Sequence, residues 1–74
     1  MVKIDLHGIK HSDVDWILIK EIEKNWGNNI EIEIITGYSE KMKEIVIKIL
    51  KEYNIDYQIG DFLGFNKGFI KIIV

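Results

Sequence analysis

Hydrophobic residues along this chain follow two different periods, and the changes of period divide it into six segments. Four segments alternate apolar with polar residues or are rich in β-branched and aromatic residues, which is typical of strands. The other two place apolar residues three or four positions apart, which is typical of amphipathic helices. The predicted elements are strand 2–7, helix 13–26, strand 30–35, helix 40–53, strand 55–63 and strand 69–74.

The element order βαβαββ predicts an α/β two-layer sandwich. A strand–helix–strand unit normally joins parallel strands, whereas the last two strands flank a short loop at 64–68 and are expected to form an antiparallel hairpin. We therefore expect a four-stranded mixed sheet with both helices on one face and a more polar, open second face. A chain of 74 residues has room for one such domain, residues 1–74.

Each predicted helix has a candidate N-cap and one apolar stripe. Ser12 is the candidate cap of the first helix, with Asp15 completing an approximate capping box, and Ser39 is the candidate cap of the second. The stripes are expected to extend to Trp26 in the first helix and to Tyr53 in the second.

The composition is that of a small domain that must be stabilised by packing alone. Isoleucine supplies 17 of the 74 residues, and there is no cysteine for a disulfide or a thiolate metal site. A small domain without disulfides fits the cytoplasm, and no signal peptide or membrane-length apolar run is recognisable, so we expect a cytoplasmic protein with no membrane partner. Ten lysines and twelve carboxylates give a net charge of −2, so any nucleic-acid site must be local or depend on a partner.

Residues able to do acid–base chemistry follow the first strand, and a glycine turn follows the second. The first strand ends at residues 5–8, where Asp5 and His7 are expected to share one strand face about 7 Å apart. The second strand ends at residues 36–39, directly before a helix N-terminus that is suited to a phosphate. The carboxyl ends of neighbouring parallel strands meet at one edge of a sheet, so we expect both groups to converge. A carboxylate and an imidazole beside a phosphate are suited to phosphodiester cleavage.

These two segments resemble the signatures of the small MutS-related, or Smr, domain family. Residues 4–8 read Ile-Asp-Leu-His-Gly and resemble its signature Leu-Asp-x-His-Gly, and residues 36–39 read Thr-Gly-Tyr-Ser and resemble its signature His-or-Thr-Gly-x-Gly. Element order and the closing hairpin agree over essentially the whole chain. The resemblance implies a fold similar to the C-terminal domain of translation initiation factor 3. It also implies nicking endonuclease activity on DNA or RNA, which some members have and others lack.

The resemblance implies a role for each matching residue. The aspartate of the first signature is linked to cleavage, which assigns catalysis to Asp5 with His7 beside it. The glycine loop is linked to nucleic-acid contact, which assigns that contact to Thr36 and Gly37.

Further residues complete the predicted nucleic-acid site. Ser39 replaces the second loop glycine, which removes one residue free to adopt positive φ but supplies a helix cap. Lys43 falls on a commonly basic position of the family and would bind phosphate as a point charge. Tyr38 at the loop tip is a candidate for stacking on a base. Lys41 and Lys10 near the same rim are candidate phosphate contacts.

Several of these assignments have a structural alternative. Asp5 could instead end its strand by accepting hydrogen bonds from nearby backbone amides, and the turn alone could require Gly37. The lysines could be ordinary solvated residues. The two histidines have no third ligand at metal spacing, so no zinc site is predicted, whereas Asp5 could share a divalent cation such as Mg²⁺ with phosphate oxygens.

Three functions stay open at this point. The first is an endonuclease that nicks RNA or structured DNA. The second is a nucleic-acid-binding module without catalysis, favoured by the changed glycine loop and the acidic balance. The third is a protein-interaction module that acts as a homodimer or with a protein partner, since fold does not establish function.

Overall fold

Two helices pack on one face of a four-stranded mixed sheet, in a computed structural model that describes residues 2–60 and 68–74. The elements, in chain order, are β1 (Val2–Asp5), α1 (His11–Asn25), β2 (Glu31–Ile35), α2 (Glu40–Glu52), β3 (Tyr57–Ile59) and β4 (Phe69–Ile73). The sheet order is β1-β2-β4-β3. The predicted α/β two-layer sandwich with βαβαββ order is confirmed.

The pairing of β1 with β2 is parallel, and the other two pairings are antiparallel. Ile4 of β1 lies opposite Ile34 of β2, which in turn lies opposite Ile70 of β4. β3 pairs antiparallel with β4, as expected for the closing hairpin. Residues 61–63 of the predicted third strand and residues 64–67 of its loop lie outside the described residues. The parallel pair brings the carboxyl ends of β1 and β2 to the same edge of the sheet.

Alternate strand residues and one stripe of each helix build a single apolar core. The buried hydrophobic residues are Ile4, Leu6, Val14, Leu18, Ile22, Ile32, Ile34, Met42, Val46, Ile49, Leu50, Ile55, Ile70 and Ile72. Full burial of an aliphatic side chain of this size contributes about 1.5–3 kcal/mol relative to exposure. Among the described residues no buried side-chain nitrogen or oxygen lacks a hydrogen-bond partner. The core therefore fixes the orientation of β1 and β2 without a disulfide.

The start of α1 differs from the prediction, whereas the start of α2 agrees with it. α1 begins at His11, and its N-cap is Lys10, which makes no side-chain capping bond. The predicted cap, Ser12, thus lies inside the first turn. The Leu6 carbonyl oxygen accepts the Ile9 N–H in a tight turn, and Ile9 packs against the core, so the chain enters the helix before it reaches the serine.

Two aromatic residues predicted to continue the helical stripes are exposed instead. Trp26 is the C-cap of α1 and has an extended backbone, so its side chain no longer follows the stripe. Tyr53 is the C-cap of α2 and lies beyond the last buried residue of that helix. In the part of the chain that the structure describes, neither helix is long and apolar enough to cross a lipid bilayer.

The sheet face that points away from the helices is open and carries paired charges. Its side chains alternate with the buried ones and are Lys3, Asp5, Glu31, Glu33, Ile35, Phe69, Lys71 and Ile73. Lys3 lies 3.8 Å from Glu33, and Lys71 lies 3.8 Å from Glu31, so both glutamates of β2 pair with a lysine of a neighbouring strand. Within the part of the chain that the structure describes, both lysines of this face are therefore engaged in ion pairs.

Candidate functional site

The carboxyl ends of β1 and β2 lie side by side and lead into the turns that precede α1 and α2. Asp5, the last residue of β1, lies opposite Ile35, and the Leu6 N–H donates to the Ile35 carbonyl oxygen at 2.8 Å. We call residues 5–10 and 36–43, which comprise both turns and the first residues of α2, the carboxyl edge. The segments that hold the predicted site residues are therefore neighbours in the structure.

Asp5 and His7 are linked by a tight turn rather than by a shared strand face. The expectation that both lie on β1 is wrong, because the strand ends at Asp5. The Asp5 Oδ1 accepts a hydrogen bond from the backbone N–H of His7 at 3.0 Å, a local turn that aspartate favours. The structural alternative for Asp5, acceptance from a backbone amide, is thus confirmed. Oδ2 of this exposed carboxylate has no hydrogen-bond partner among the described residues.

The His7 ring lies against the glycine turn that follows β2. Gly37 has a φ of +67°, a conformation that residues with a Cβ rarely adopt. A Cβ placed on Gly37 would lie 3.4 Å from Cδ2 of the His7 ring. The positive φ therefore favours glycine in this turn, and the His7 ring lies close to it. The segment of Asp5 and His7 is thus a neighbour of the segment of Thr36 and Gly37.

The Gly37 turn is held rigidly by the chain that enters β4. The N–H groups of Thr36 and Gly37 both donate to the Gly68 carbonyl oxygen at 3.0 Å. Thr36 is buried, and its hydroxyl lies within donating distance of the carbonyl oxygens of Gly37, at 2.9 Å, and Gly68, at 3.3 Å. These donors are engaged within the protein, so they fix the shape of the turn.

Tyr38, Lys43 and Glu40 form a group at the start of α2. The Lys43 ammonium lies 5.7 Å from the centroid of the Tyr38 ring, which is within the range of a cation–π contact. The same ammonium lies 3.7 Å from Oε1 of Glu40, one turn earlier on the helix. Lys43 is only 8% exposed, whereas Tyr38 is 75% exposed. The predicted basic position is thus present beneath an exposed ring, and a carboxylate of the same helix already pairs with it.

Three residues predicted to contact nucleic acid remain: Ser39 caps α2, and Lys10 and Lys41 are unpaired among the described residues. The Ser39 Oγ accepts the Met42 N–H at 3.1 Å, which confirms Ser39 as the N-cap of α2. The side chains of Lys10 and Lys41 are exposed and make no ion pair or hydrogen bond with the described residues. These two lysines are available to a ligand without the loss of an internal contact.

The charge of the carboxyl edge differs in sign from that of the whole chain. The edge contains three lysines and two carboxylates, whereas the complete sequence has ten lysines and twelve carboxylates. In residues 2–60 and 68–74, no three histidine, aspartate or glutamate side chains are grouped as a metal site would require. The edge is therefore a small, locally basic surface.

Sequence reasoning missed two residues that shape this surface. Glu40 pairs with Lys43, and the spacing of three positions on a predicted helix was a signal that could have revealed the pair. The Gly68 carbonyl oxygen holds the Gly37 turn, although the two residues are 31 positions apart in the sequence. No local pattern indicates a contact of that kind.

Four concave surfaces of the described residues, of about 340–590 Å³, lie away from the carboxyl edge. One of about 350 Å³ follows β3 and the end of β4, and one of about 340 Å³ lies beside Trp26 and Val74 at the opposite end of the sheet. Asp5, His7 and Tyr38, in contrast, are all exposed. An exposed edge of this kind suits an extended polymer better than a small molecule, which usually binds in an enclosed pocket.

Comparison of the chain with protein-family models, with curated proteins and with solved structures gives no match.

Proposed function

We propose that this chain is a Smr-like domain that binds nucleic acid at the carboxyl edge and nicks RNA or structured DNA there. The closeness of the His7 ring to Gly37 carries the proposal, because it places in one surface the two segments that resemble the family signatures. The resemblance relates these segments to one family but does not give their distance. In the structure a Cβ on Gly37 would lie only 3.4 Å from the His7 ring.

Binding is proposed to depend on a few lysines rather than on the whole surface. Lys10 and Lys41 are free to approach phosphates, and Lys43 reaches them if Glu40 moves away. Phosphate neutralisation releases counterions, so the affinity is expected to fall as salt is raised. Because only three lysines take part, the dependence on salt should be shallow compared with that of a strongly basic nucleic-acid-binding protein.

Cleavage is proposed to use Asp5 and His7 as the acid–base pair. Hydrolysis breaks one P–O bond and adds water, so one proton must leave the attacking water and one must reach the leaving oxygen. In the proposed step Asp5 accepts the proton of the water through Oδ2, and a protonated His7 donates a proton to the leaving oxygen. Oδ1 meanwhile keeps its hydrogen bond from the His7 backbone, which holds the two groups in one turn.

A divalent cation bound by Asp5 is the alternative to its role as general base, because both would use Oδ2. Asp5 has one carboxylate oxygen without a protein partner, and Mg²⁺ is commonly held by one or two carboxylates together with phosphate oxygens. Such a cation would neutralise charge on the phosphate. We expect cleavage to be lost in a chelating agent and restored by added Mg²⁺ if the cation takes part.

The cleavage proposal is tested with labelled RNA and structured DNA on denaturing gels. Asp5→Asn keeps an oxygen for the His7 N–H and removes the carboxylate, so the fold is retained while cleavage should fall by at least about a hundredfold. His7→Gln should have a similar effect. Asp15→Asn and His11→Gln make the same chemical changes on α1 and should leave cleavage unchanged. Undiminished product with Asp5→Asn would assign the cleavage to a contaminant.

Nucleic-acid binding without catalysis is the second candidate, and one observation favours it. The hydrogen bond from the His7 N–H already gives Asp5 a structural role that needs no catalysis. Salt-sensitive binding without product, with or without Mg²⁺, would establish this candidate in place of the endonuclease. Absence of salt-sensitive binding would exclude both.

A further inference from the structure

Tyr38 carries an exposed aromatic ring, and the residues on either side of it are held by hydrogen bonds. Among the described residues it is the most exposed of the large hydrophobic side chains, at 75%. The residue before it, Gly37, is tied to Gly68, and the residue after it, Ser39, caps α2. An exposed ring with a fixed backbone loses little conformational freedom when it binds a ligand.

Lys43 further restricts the ring. Its ammonium lies 5.7 Å from the ring centroid, and its side chain is largely buried and pairs with Glu40. One side of the ring therefore faces a cation that belongs to the protein. With 75% of Tyr38 exposed, most of its surface is open to solvent.

The groups around Tyr38 favour a nucleic-acid base over an apolar protein surface. The nearest residues along α2, Glu40 and Lys41, are exposed and charged, whereas the centre of a protein interface is typically depleted of charge. A base instead needs one free aromatic face, with cations nearby for its phosphates. Lys41 and Lys43 provide those cations.

We propose that Tyr38 stacks on an unpaired base, so that the carboxyl edge selects single-stranded segments over continuous duplex. This inference rests on the proposed nucleic-acid-binding function and adds the class of substrate. A base within a duplex has both faces covered by its neighbours, so only a loop, a bulge, an end or a single strand can offer a free face. The lysines then contact the flanking phosphates.

The test compares three fluorescently labelled probes by polarisation with the complete chain. The probes are a short single strand, the same strand with abasic sites in place of its bases, and the matching duplex. The abasic strand keeps the phosphate charge and removes stacking. We expect the strand with bases to bind about five- to a hundredfold more tightly than the abasic strand, the range that one base–aromatic stack provides.

Variants of two tyrosines identify the ring responsible. Tyr38→Leu should abolish the difference between the strands with and without bases, whereas Tyr38→Phe should keep it because stacking needs the ring and not the hydroxyl. Tyr53→Leu removes an exposed tyrosine at the other end of α2 and should change nothing. Circular dichroism melting of each variant confirms that the fold is retained.

The outcomes separate this inference from the function on which it rests. Equal binding of the strands with and without bases, or a difference that survives Tyr38→Leu, overturns stacking and leaves nucleic-acid binding intact. Absence of salt-sensitive binding by any probe overturns the proposed function itself. Self-association that Tyr38→Leu abolishes would assign the ring to a protein contact and would also overturn the inference.

Discussion

Ser39 stands where the resembled family has a glycine, and its Oγ accepts the Met42 N–H at 3.1 Å. Two residues earlier, Gly37 has a positive φ, which residues with a Cβ rarely adopt, so this position favours glycine. Asp5 also has a structural role, because its Oδ1 accepts the hydrogen bond that closes a turn, whereas Oδ2 has no hydrogen-bond partner among the described residues. At this scale Asp5, Gly37 and Ser39 each shape a turn or a helix start, and Oδ2 of Asp5 is left exposed.

Replacement of the helix cap should reduce stability by a definite amount. Ser39→Ala removes the acceptor of the Met42 N–H, and we expect the free energy of unfolding to fall by about 1 kcal/mol. Ser12→Ala is the matched control, because Ser12 lies inside α1 and caps nothing, so its effect should stay within about 0.5 kcal/mol. Urea unfolding followed by circular dichroism measures both. Equal losses in the two variants would show that Ser39 is not the effective cap.

Gly37→Ala should affect both stability and binding, and Gly27→Ala should affect stability alone. Both glycines have positive φ, +67° and +79°, so each alanine should cost about 1–2 kcal/mol. Only at Gly37 would the new Cβ meet the His7 ring, whereas nothing lies within 4 Å at Gly27. Affinity for a labelled single strand should therefore fall only in Gly37→Ala. The same affinity loss in both variants would place the binding surface elsewhere.

At the scale of elements, the start of α2 carries groups that attract an anion and one carboxylate that repels it. The N–H groups of its first turn and Lys43 favour an anion, while Glu40 carries a carboxylate to the same place. Glu40 is exposed, so it can leave Lys43 without disturbing the core. An incoming phosphate must compete with this carboxylate for the ammonium.

Removal of the competing charge should strengthen nucleic-acid binding. We expect Glu40→Gln to raise the affinity for a single strand by up to about fivefold, the range of one exposed ion pair. Glu44→Gln removes the same charge one turn further along α2, where the residue makes no ion pair with the described residues, so it measures the general electrostatic effect. Polarisation at low salt compares the two. A gain no larger in Glu40→Gln than in Glu44→Gln would contradict competition at Lys43.

The elements could be predicted from the sequence because their periodicity is local. Strand β2 and helix α2 alternate or repeat without interruption, and both lie within one residue of the predicted bounds. The start of α1 could not be predicted, because the packing of Ile9 and the turn at Leu6 decide it rather than the serine. Trp26 was misplaced for a similar reason, since the helix ends before that residue.

At the scale of the whole molecule, the parallel pairing of β1 and β2 creates the site. It brings Asp5 opposite Ile35, and the two turns that follow then lie next to each other. Lys3 and Lys71 on the open face of the sheet are engaged in ion pairs, whereas the carboxyl edge is locally basic and is the surface proposed to bind phosphates. A chain with net charge −2 can thus present a small basic surface at one end.

The convergence of the two motifs could be predicted from topology, but their detailed contacts could not. The order of strands and helices implied that residues 5–8 and 36–39 meet. The support from Gly68 and the burial of Lys43 depend on long-range packing, which no local pattern encodes. The turn between Asp5 and His7 was predicted only as an alternative, because the alternating pattern does not show whether the strand ends at Asp5 or continues to His7.

The carboxyl edge as a nucleic-acid surface is tested most directly by a ¹H–¹⁵N NMR titration of the protein with a short single-stranded RNA. We predict that the largest amide shifts fall on Gly8, Gly37, Tyr38 and Lys41, and that they shrink as salt is added. Amides near Trp26 and Ile73, at the opposite end of the sheet, should stay unchanged. Shifts centred on Trp26 and Ile73, or no shifts at low salt, would contradict the account.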